Sequence, residues 1–272
     1  MTQENVFFSK AEQALSQAFI DKGYIVIDVE NQQALQRLQS LVVDSVCEYL
    51  GDNKPDDAKA YLDTIHQQVN VSQLNALRLH VIQVLNSNEQ SRQHYLSLAR
   101  AGVEALVGNE LAMQRRINLS IQMPDDSSSL LPIHSDVWSG DSPFEVVVWV
   151  PLVDCYNTKT MYIVNPTSGE KIKKNFSQFS NSSAEDVYQA VAKDAEFLKV
   201  KFGQVLVFSQ TLMHGNRINE ESGTRWSMNL RVKSLLSPYD DKRLGEFFEP
   251  ITLRAATRIG MQYRYYDGFN DE

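Results

Sequence analysis

Leu130-Leu-Pro-Ile-His134-Ser-Asp136-Val-Trp-Ser-Gly-Asp141 is the stretch on which the interpretation of this chain depends. In an extended segment, residues two positions apart point to the same face, so the His134 imidazole and the Asp136 carboxylate could reach one small ion. A nitrogen and an oxygen ligand suit a borderline divalent metal and leave coordination positions open for chemistry. Because His-x-Asp also occurs by chance in many proteins, the tripeptide gains its meaning only from residues further along the chain.

A second histidine, His214, follows a short apolar run. The run Val205-Leu-Val-Phe208 comes directly after Gly203-Gln, which predicts a tight turn and then a buried strand that ends shortly before His214. Together with His134 and Asp136, His214 would complete a triad of two histidines and one carboxylate. Such a triad leaves three adjacent positions open on iron(II). We therefore predict a metal site made of these three side chains.

A candidate receptor for a carboxylate lies in Thr224-Arg225-Trp226-Ser227. On a strand, the guanidinium of Arg225 and the hydroxyl of Ser227 would share one face. The planar guanidinium donates two parallel hydrogen bonds to a carboxylate. Arg231 also points inward if the strand is regular, and it could bind an anionic group of the substrate or replace Arg225 in this role. Three metal ligands with a nearby carboxylate receptor are a far more specific signal than either part alone.

The order His134-x-Asp136, His214, Arg225-x-Ser227 resembles the iron(II)/2-oxoglutarate-dependent dioxygenases, and most of all their phytanoyl-CoA dioxygenase-like branch. The resemblance implies that the three metal ligands bind Fe(II) and form the catalytic centre. It also implies that Arg225 and Ser227 hold the distal carboxylate of 2-oxoglutarate, with dioxygen as co-substrate. Related halogenases have Ala or Gly where Asp136 stands, so halogenation is disfavoured.

Other parts of the chain extend this resemblance and limit it. Residues 118–124 and 142–154 are similar to oxygenases of bacterial carbohydrate-biosynthesis clusters. The likeness to the superfamily is specific over about residues 110–235 and looser over the N-terminal part. The Pro-Gly-Ser-His signature that is usual in the phytanoyl-CoA branch is replaced here by Asn165-Pro-Thr-Ser-Gly169, so the substrate of that branch is a poor guide.

The fold and reaction implied by the resemblance follow from the family. The fold is α+β: a double-stranded β-helix (jelly roll, cupin-like) with packed N-terminal helices. The reaction is hydroxylation of a C–H bond of a sugar, nucleotide sugar or glycan intermediate, with release of succinate and CO2. Desaturation, epimerisation and cyclisation use the same ligands and stay open, as does an oxygenase that acts on another small molecule.

Further candidates for the cofactor pocket are Asn118, Gln122, Trp149 and Asn219. Asn118 and Gln122 lie on the polar face of an alternating strand, which suits a barrel interior that holds a polar ligand. A strand with one face in water is the alternative. Trp149 and Asn219 match positions that line the cofactor pocket in the resembling family. Their alternatives are a core aromatic side chain and a polar loop residue.

The composition sets the protein class. The chain has 272 residues, of which 43% are hydrophobic and 22% charged, as in ordinary globular proteins. Its net charge of −8 argues against a nucleic-acid surface. No apolar run approaches the roughly 18 residues of a membrane span, and no secretory signal is evident. Two cysteines, Cys47 and Cys155, are too few for a disulfide framework or a cysteine zinc site.

From this composition we expect a cytoplasmic protein without a nucleic-acid or membrane partner. The resemblance implies an enzyme with a small-molecule or carbohydrate substrate. The tail at 238–272 is aromatic and basic and includes Tyr263, Tyr265 and Tyr266. Such a tail could form a lid or a subunit contact in a homo-oligomer. The simpler interpretation is a packing or solvated tail.

We predict one domain over residues 1–272, with a mainly helical part at 1–110, the jelly-roll core at 111–235 and a C-terminal extension at 236–272. Periodicity predicts helices at 5–20, 31–50 and 58–108, strands at 24–28, 116–123, 145–153, 158–165 and 205–208, a mobile loop at 125–129, a turn at 166–169 and a helical excursion at 170–198.

Three histidines lie in the helical part: His66, His80 and His94. We expect all three to be structural rather than metal ligands. Arg78 and His80 receive slightly more weight as pocket groups, although no motif supports them.

Two other protein classes compete with an oxygenase. A cupin-type isomerase or a zinc hydrolase could use the same metal ligands. It would not need Arg225-x-Ser227, and it would typically add a third histidine or a general-base glutamate close to a ligand. A binding protein on a decayed oxygenase fold would usually have lost a ligand, whereas this chain keeps all three and the arginine.

Overall fold

The computed structural model describes residues 7–179 and 182–264. Helices dominate the first part of the chain and strands dominate the second. The helices are α1 (Lys10–Lys22), α2 (Gln32–Leu50), α3 (Ala58–Asp63), α4 (Val71–Ser87), α5 (Ser91–Ser97), α6 (Arg100–Val107), α7 (Pro166–Lys174), α8 (Ala184–Val191) and α9 (Ala255–Gly260). The strands are β1 (Tyr24–Asp28), β2 (Leu111–Gln114), β3 (Asn118–Gln122), β4 (Glu145–Pro151), β5 (Tyr162–Val164), β6 (Ala195–Phe197), β7 (Gln204–Ser209), β8 (His214–Gly215), β9 (Arg225–Ser234) and β10 (Phe248–Thr252).

Local sequence sets the ends of the first helices. At the start of α1, the Ser9 hydroxyl accepts from the Glu12 backbone N–H while the Glu12 carboxylate accepts from the Ser9 backbone N–H. This reciprocal pair satisfies two amides that the helix itself leaves without partners. Gly23 at φ 74° and Gly51 at φ 75° end α1 and α2 in the left-handed conformation that glycine adopts without strain. The prediction of a helix that ends at Gly51 is confirmed.

The strands form two sheets with antiparallel pairing. In the larger sheet the order is β1–β7–β4–β9–β2–β10, and β3 also pairs with β9. The smaller sheet has the order β6–β5–β8. The expected α+β class, helices combined with antiparallel sheet, is confirmed.

The N-terminal helices cover one face of the larger sheet, whereas α7 and α8 pack with β5 of the smaller sheet. Leu35 and Val42 of α2 and Leu77 of α4 are fully buried in an apolar core that continues into β4, β7 and β9. Trp226 of β9 is buried there, and its indole N–H donates to the Leu62 carbonyl oxygen at 2.8 Å. Because side chains alternate along a strand, the neighbours of Trp226 on β9 point to the opposite face, away from the helix layer.

Two segments differ from the sequence-based prediction. The predicted turn at 166–169 is the first turn of α7. Asn165 caps it by accepting from the Ser168 backbone N–H at 2.9 Å, and Pro166 stands at the first helical position, where an N–H is not needed. The strand predicted at 158–165 begins only at Tyr162, because Asn157–Lys159 form a 3₁₀ turn with Asn157 at φ 45°.

The C-terminal extension contributes to the sheet. Phe248 is fully buried, and β10 pairs with β2 as an edge strand, so this part is more than a tail. Tyr263 is exposed, whereas Tyr265 and Tyr266 lie outside the described residues. Within 7–179 and 182–264, no helix has the length and apolar character that crossing a membrane requires.

Candidate metal centre

His134, Asp136 and His214 meet in space although they are far apart in the chain. One potential ligand atom of each residue lies within 4.8 Å of the others. Nε2 of His134 is 3.5 Å from Oδ1 of Asp136, and the two imidazole centroids are 4.3 Å apart. In the part of the chain that the structure describes, no other group of three His, Cys, Asp or Glu side chains could hold a metal ion.

Backbone pairing fixes the two histidine segments to each other. The N–H of His134 donates to the His214 carbonyl at 2.9 Å, and the N–H of His214 donates to the His134 carbonyl at 2.8 Å. The residue after His214 has to be glycine. A Cβ on Gly215 would lie 2.6 Å from Oη of Tyr162 and 2.9 Å from the Leu131 carbonyl oxygen. The Gly215 that follows His214 in the sequence is thus explained by this close approach.

Backbone carbonyls orient both imidazole rings. Nδ1 of His134 is 2.8 Å from the Pro132 carbonyl oxygen, and Nδ1 of His214 is 2.9 Å from the Leu212 carbonyl oxygen. A ring nitrogen that faces a carbonyl oxygen is the donor, so each Nε2 keeps its lone pair for a metal. Burial, and then the adjacent His134, lower the pKa of His214 to about 4. The ring is therefore neutral at physiological pH, as metal binding requires.

Arg231 holds the carboxylate of the triad. Although burial opposes ionisation, the hydrogen bond with His134 and the charges of His214 and Arg231 lower the pKa of Asp136 to about 2. Nη2 of Arg231 lies 3.3 Å from Oδ1 of Asp136, and its Nε lies 2.8 Å from Oδ1 of Asp141. Lys242 pairs with the other oxygen of Asp141. Such an outer partner fixes the direction in which a ligand carboxylate points.

Among the described residues, Arg225 has no carboxylate partner. It is 5% exposed, and Nη2 donates to the Ser120 hydroxyl at 3.0 Å. Its Nε and the Ser227 hydroxyl are buried without a hydrogen-bond partner in the described part of the chain. Burial lowers the pKa of Arg225 to about 10. An uncompensated buried charge is costly, so this corner of the molecule is suited to receive an anion. Of the two arginines considered from the sequence, the geometry favours Arg225 as the receptor.

One cavity of about 710 Å³ connects the triad with Arg225 and Ser227. Of the additional pocket residues predicted from the sequence, Asn118 and Trp149 line it. The volume is within the range of small-molecule sites, and the wall combines apolar side chains with a few polar groups, as such sites usually do.

Solved structures resemble this fold, whereas no family model and no curated protein sequence matches the chain. EctD from S. alaskensis, crystallised with 2-oxoglutarate and 5-hydroxyectoine, gives a TM-score of 0.55 at 15% identity, covering 88% of this chain and 80% of EctD. SnoK, a non-heme alpha-ketoglutarate-dependent carbocyclase from nogalamycin biosynthesis, gives a TM-score of 0.54 at 16% identity, covering 90% of this chain and 97% of SnoK.

HygX from Streptomyces hygroscopicus, with nickel and 2-oxoglutarate bound, gives a TM-score of 0.50 at 13% identity, covering 85% of this chain and 89% of HygX. The chain shares its fold with these enzymes. All three are described with 2-oxoglutarate or as dependent on it. At this level of identity, the likeness establishes the fold and not the reaction.

Two of the predicted pocket residues lie elsewhere. Gln122 and Asn219 are fully buried and do not line the cavity. Nε2 of Gln122 donates to the Arg217 carbonyl at 2.6 Å, and its Oε1 accepts from Asn216 at 3.3 Å. Nδ2 of Asn219 donates to the Gly223 carbonyl at 2.8 Å. The loop between β8 and β9 covers the end of β3 at Gln122, and both side chains hold this loop in place. They therefore support the site without facing the cavity.

The loop at 125–129, predicted to be mobile, is tied down by hydrogen bonds. The buried Asp126 carboxylate accepts from the Ser128 backbone N–H at 2.7 Å, from its hydroxyl at 2.8 Å and from the Ser129 hydroxyl at 3.3 Å. Nδ2 of Asn216 donates to the Ser129 carbonyl at 3.1 Å. Ser128 and Ser129 both line the cavity. The loop therefore forms a defined part of the wall next to His134.

The histidines of the helical part lie outside the candidate metal group of the described residues. Nδ1 of His66 lies 2.9 Å from the Thr224 hydroxyl, directly beside Arg225, and the His80 ring lies 5.3 Å from the Tyr49 ring. Arg78, which no motif singled out, does line the cavity, whereas His80 does not. Asp141 and Lys242 also belong to the site. Asp141 ends the stretch around His134, but no pattern in the sequence indicated a role for Lys242.

Proposed function

We propose that this protein is an iron(II)/2-oxoglutarate-dependent oxygenase on a double-stranded β-helix, of the phytanoyl-CoA dioxygenase-like type. The observation that carries the proposal is the buried Arg225 guanidinium, which has no carboxylate partner among the described residues. It lies with the Ser227 hydroxyl in the same cavity as the two-histidine, one-carboxylate group. A zinc hydrolase or a cupin isomerase would use the metal ligands but has no need of a buried receptor for a carboxylate.

His134, Asp136 and His214 would hold the metal, and Arg225 with Ser227 would bind the distal carboxylate of 2-oxoglutarate. When bound, Fe(II) with 2-oxoglutarate would activate dioxygen for the oxidation of a substrate C–H bond, releasing succinate and CO2. Three protein ligands on one side of the ion are consistent with this chemistry, because the open positions can accept the cosubstrates.

The remaining residues of the site orient the ligands and exclude water. Arg231 keeps the Asp136 carboxylate in place through its contact of 3.3 Å. The Phe208 ring packs edge-on against His214 with centroids 5.0 Å apart, which restrains that imidazole. Trp149 and Phe208 are buried and line the cavity, so they form a dry wall beside the ligands. A dry wall strengthens electrostatic contacts and limits side reactions with water.

For the substrate we propose a sugar, nucleotide sugar or glycan intermediate, with hydroxylation as the outcome. The similarity of residues 118–124 and 142–154 to oxygenases of carbohydrate-biosynthesis clusters supports this. The amide side chains of Asn118 and Asn229 in the cavity wall also support it, since they can donate to and accept from hydroxyl groups. Desaturation, epimerisation and cyclisation share the same ligands and are distinguished by the product.

The experiment that tests the proposal is succinate formation from 2-oxoglutarate by protein loaded with iron under anaerobic conditions and then exposed to oxygen. We expect iron-dependent succinate from the wild type, and none from the His134→Ala and Arg225→Ala variants. Arg258→Ala, an exposed change on α9, serves as the control and should behave as the wild type. If the wild type neither binds 2-oxoglutarate nor forms succinate, the Arg225 assignment is wrong and the site has to be a different metal centre.

A further inference from the structure

The side chains that line the cavity carry more positive than negative charge. Arg78, Arg225, Arg231 and Lys242 line it, against the two carboxylates of Asp136 and Asp141. The histidines that line it face carbonyl oxygens through Nδ1 and count as neutral metal ligands. The protein side of the cavity therefore has two positive charges in excess, in a chain whose net charge is −8.

The bound cofactors do not remove this excess. The two positive charges of Fe(II) and the two negative charges of 2-oxoglutarate cancel each other. Arg231 and Lys242 are engaged with Asp141, and Arg231 also contacts Asp136. Arg225 would be engaged with 2-oxoglutarate. Of the two charges in excess, Arg225 would therefore contact the distal carboxylate of 2-oxoglutarate, which leaves Arg78 as the cation of the cavity wall without a carboxylate contact among the described residues.

Arg78 lies at a defined place in the wall. It belongs to α4, which packs into the core through the buried Leu74 and Leu77 and contacts β3. Its Nη2 donates to Oδ1 of Asn75 at 2.7 Å, one helical turn earlier. Among the residues that the structure describes, no carboxylate oxygen lies within the 4.0 Å of an ion pair with Arg78. Asn75 thus orients the half-buried guanidinium without neutralising it.

We propose that Arg78 binds an anionic group of the substrate, a phosphate or a carboxylate, and so makes this an oxygenase for anionic substrates. The inference rests on the proposed function, because it assigns Arg225 to the cofactor and leaves Arg78 for the substrate. A guanidinium offers parallel donors to either kind of oxyanion. Asn75, Ser128 and Ser129 lie in the same wall and can complete the contacts. A neutral sugar in the cavity would leave the charge of Arg78 without a counter-ion.

The test is titration calorimetry with inorganic phosphate and, separately, with acetate, on protein saturated with Zn(II) and 2-oxoglutarate so that Arg225 is occupied. Phosphate binding stronger than acetate binding assigns a phosphorylated substrate, and the reverse assigns a carboxylate. Arg78→Gln should weaken the preferred anion roughly tenfold or more, because a charge-assisted hydrogen bond is lost. Arg78→Lys should retain part of the affinity, since it keeps the charge but not the fork. Arg258→Gln on α9 is the matched control and should bind as the wild type.

The proposal is wrong if neither anion binds the wild type, or if Arg78→Gln binds as tightly as the control. Repeating the titration on metal-free protein with Arg225→Ala separates this proposal from the function it rests on. If the metal-free Arg225→Ala protein no longer binds the anion although Arg78 is intact, the probe reports the cofactor receptor and the substrate assignment fails. If the wild type forms succinate and binding is independent of Arg78, only the anion proposal fails. If no succinate forms but binding depends on Arg78, only the proposed function fails.

Discussion

Replacing Arg225 by methionine should stabilise the metal-free protein while abolishing its affinity for 2-oxoglutarate. Burial lowers the pKa of Arg225 from 12.5 to about 10. At about 1.4 kcal/mol per pKa unit, the folded state bears a cost of roughly 3 kcal/mol for holding this charge. Methionine fills a similar volume but loses the 3.0 Å hydrogen bond to Ser120, which is worth about 1 kcal/mol. We therefore expect the free energy of unfolding to rise by about 1 to 2 kcal/mol.

Arg231→Met is the matched comparison, because Arg231 lies on the same strand and faces the same cavity. Its side chain is 14% exposed, but it contacts the carboxylates of Asp136 and Asp141. Removing it leaves Asp136 buried without its cation, which should lower the free energy of unfolding by about 3 kcal/mol. Two arginines on one face of β9 are thus expected to give changes of opposite sign.

The measurement is urea unfolding of the metal-free variants, repeated with Zn(II) and 2-oxoglutarate. The ligands should raise the stability of the wild type by mass action and should leave Arg225→Met unchanged beyond the effect of the metal. A loss of more than about 1 kcal/mol in metal-free Arg225→Met would refute the reasoning, since typical intramolecular hydrogen bonds contribute about that much. It would mean that the structure already satisfies the guanidinium and that no anion is required.

Two further changes test the surroundings of the site. Burial, and the nearby Asp141 charge, raise the pKa of Glu145 to about 7. Because the folded pKa lies above the unfolded value of 4.5, stability should fall as pH rises from about 4.5 to 7. Glu145→Gln should remove this dependence of stability on pH and stabilise the protein by about 2 to 3 kcal/mol at pH 8. Urea unfolding of both proteins at pH 5 and pH 8 measures the effect. An equal change between the two pH values in both proteins would contradict it. Gly215→Ala should lower stability by about 1 to 3 kcal/mol and weaken Zn(II) binding. The reason is that the alanine methyl group would collide with Tyr162 and displace His214. An unchanged Zn(II) affinity by calorimetry would count against that geometry.

The three residues of the candidate metal centre could be found from the sequence because each one is marked by its local context. His134 and Asp136 are two residues apart in an extended stretch, and His214 follows a run of apolar residues between a glycine and a polar turn. Such local signals survive folding, since a strand fixes which side chains share a face. The C-terminal end of α2 was predictable for the same reason, because Gly51 acts on the backbone next to it.

What the sequence could not supply are contacts between distant segments. Periodicity places Arg225 and Arg231 on the same face of β9, and only the arrival of Asp141 and Lys242 shows which arginine is neutralised. Asn118 and Gln122 likewise share a face of β3, but the loop between β8 and β9 covers only the second of them. Both outcomes depend on where a loop folds back, which no local pattern encodes.

One strand links the stability of this fold to its site. Along β9, Trp226, Met228, Leu230 and Val232 are buried in the core, while the residues between them line the cavity. A slip of one residue in the pairing of β9 would exchange these two sets and bury the guanidiniums in the core. The helical part opposes such a slip at the two positions that flank Arg225: Leu62 accepts from the Trp226 indole at 2.8 Å, and His66 contacts the Thr224 hydroxyl at 2.9 Å. The helices around α3 therefore hold Arg225 in its register, which gives the N-terminal part a role in the site although it provides none of the metal ligands.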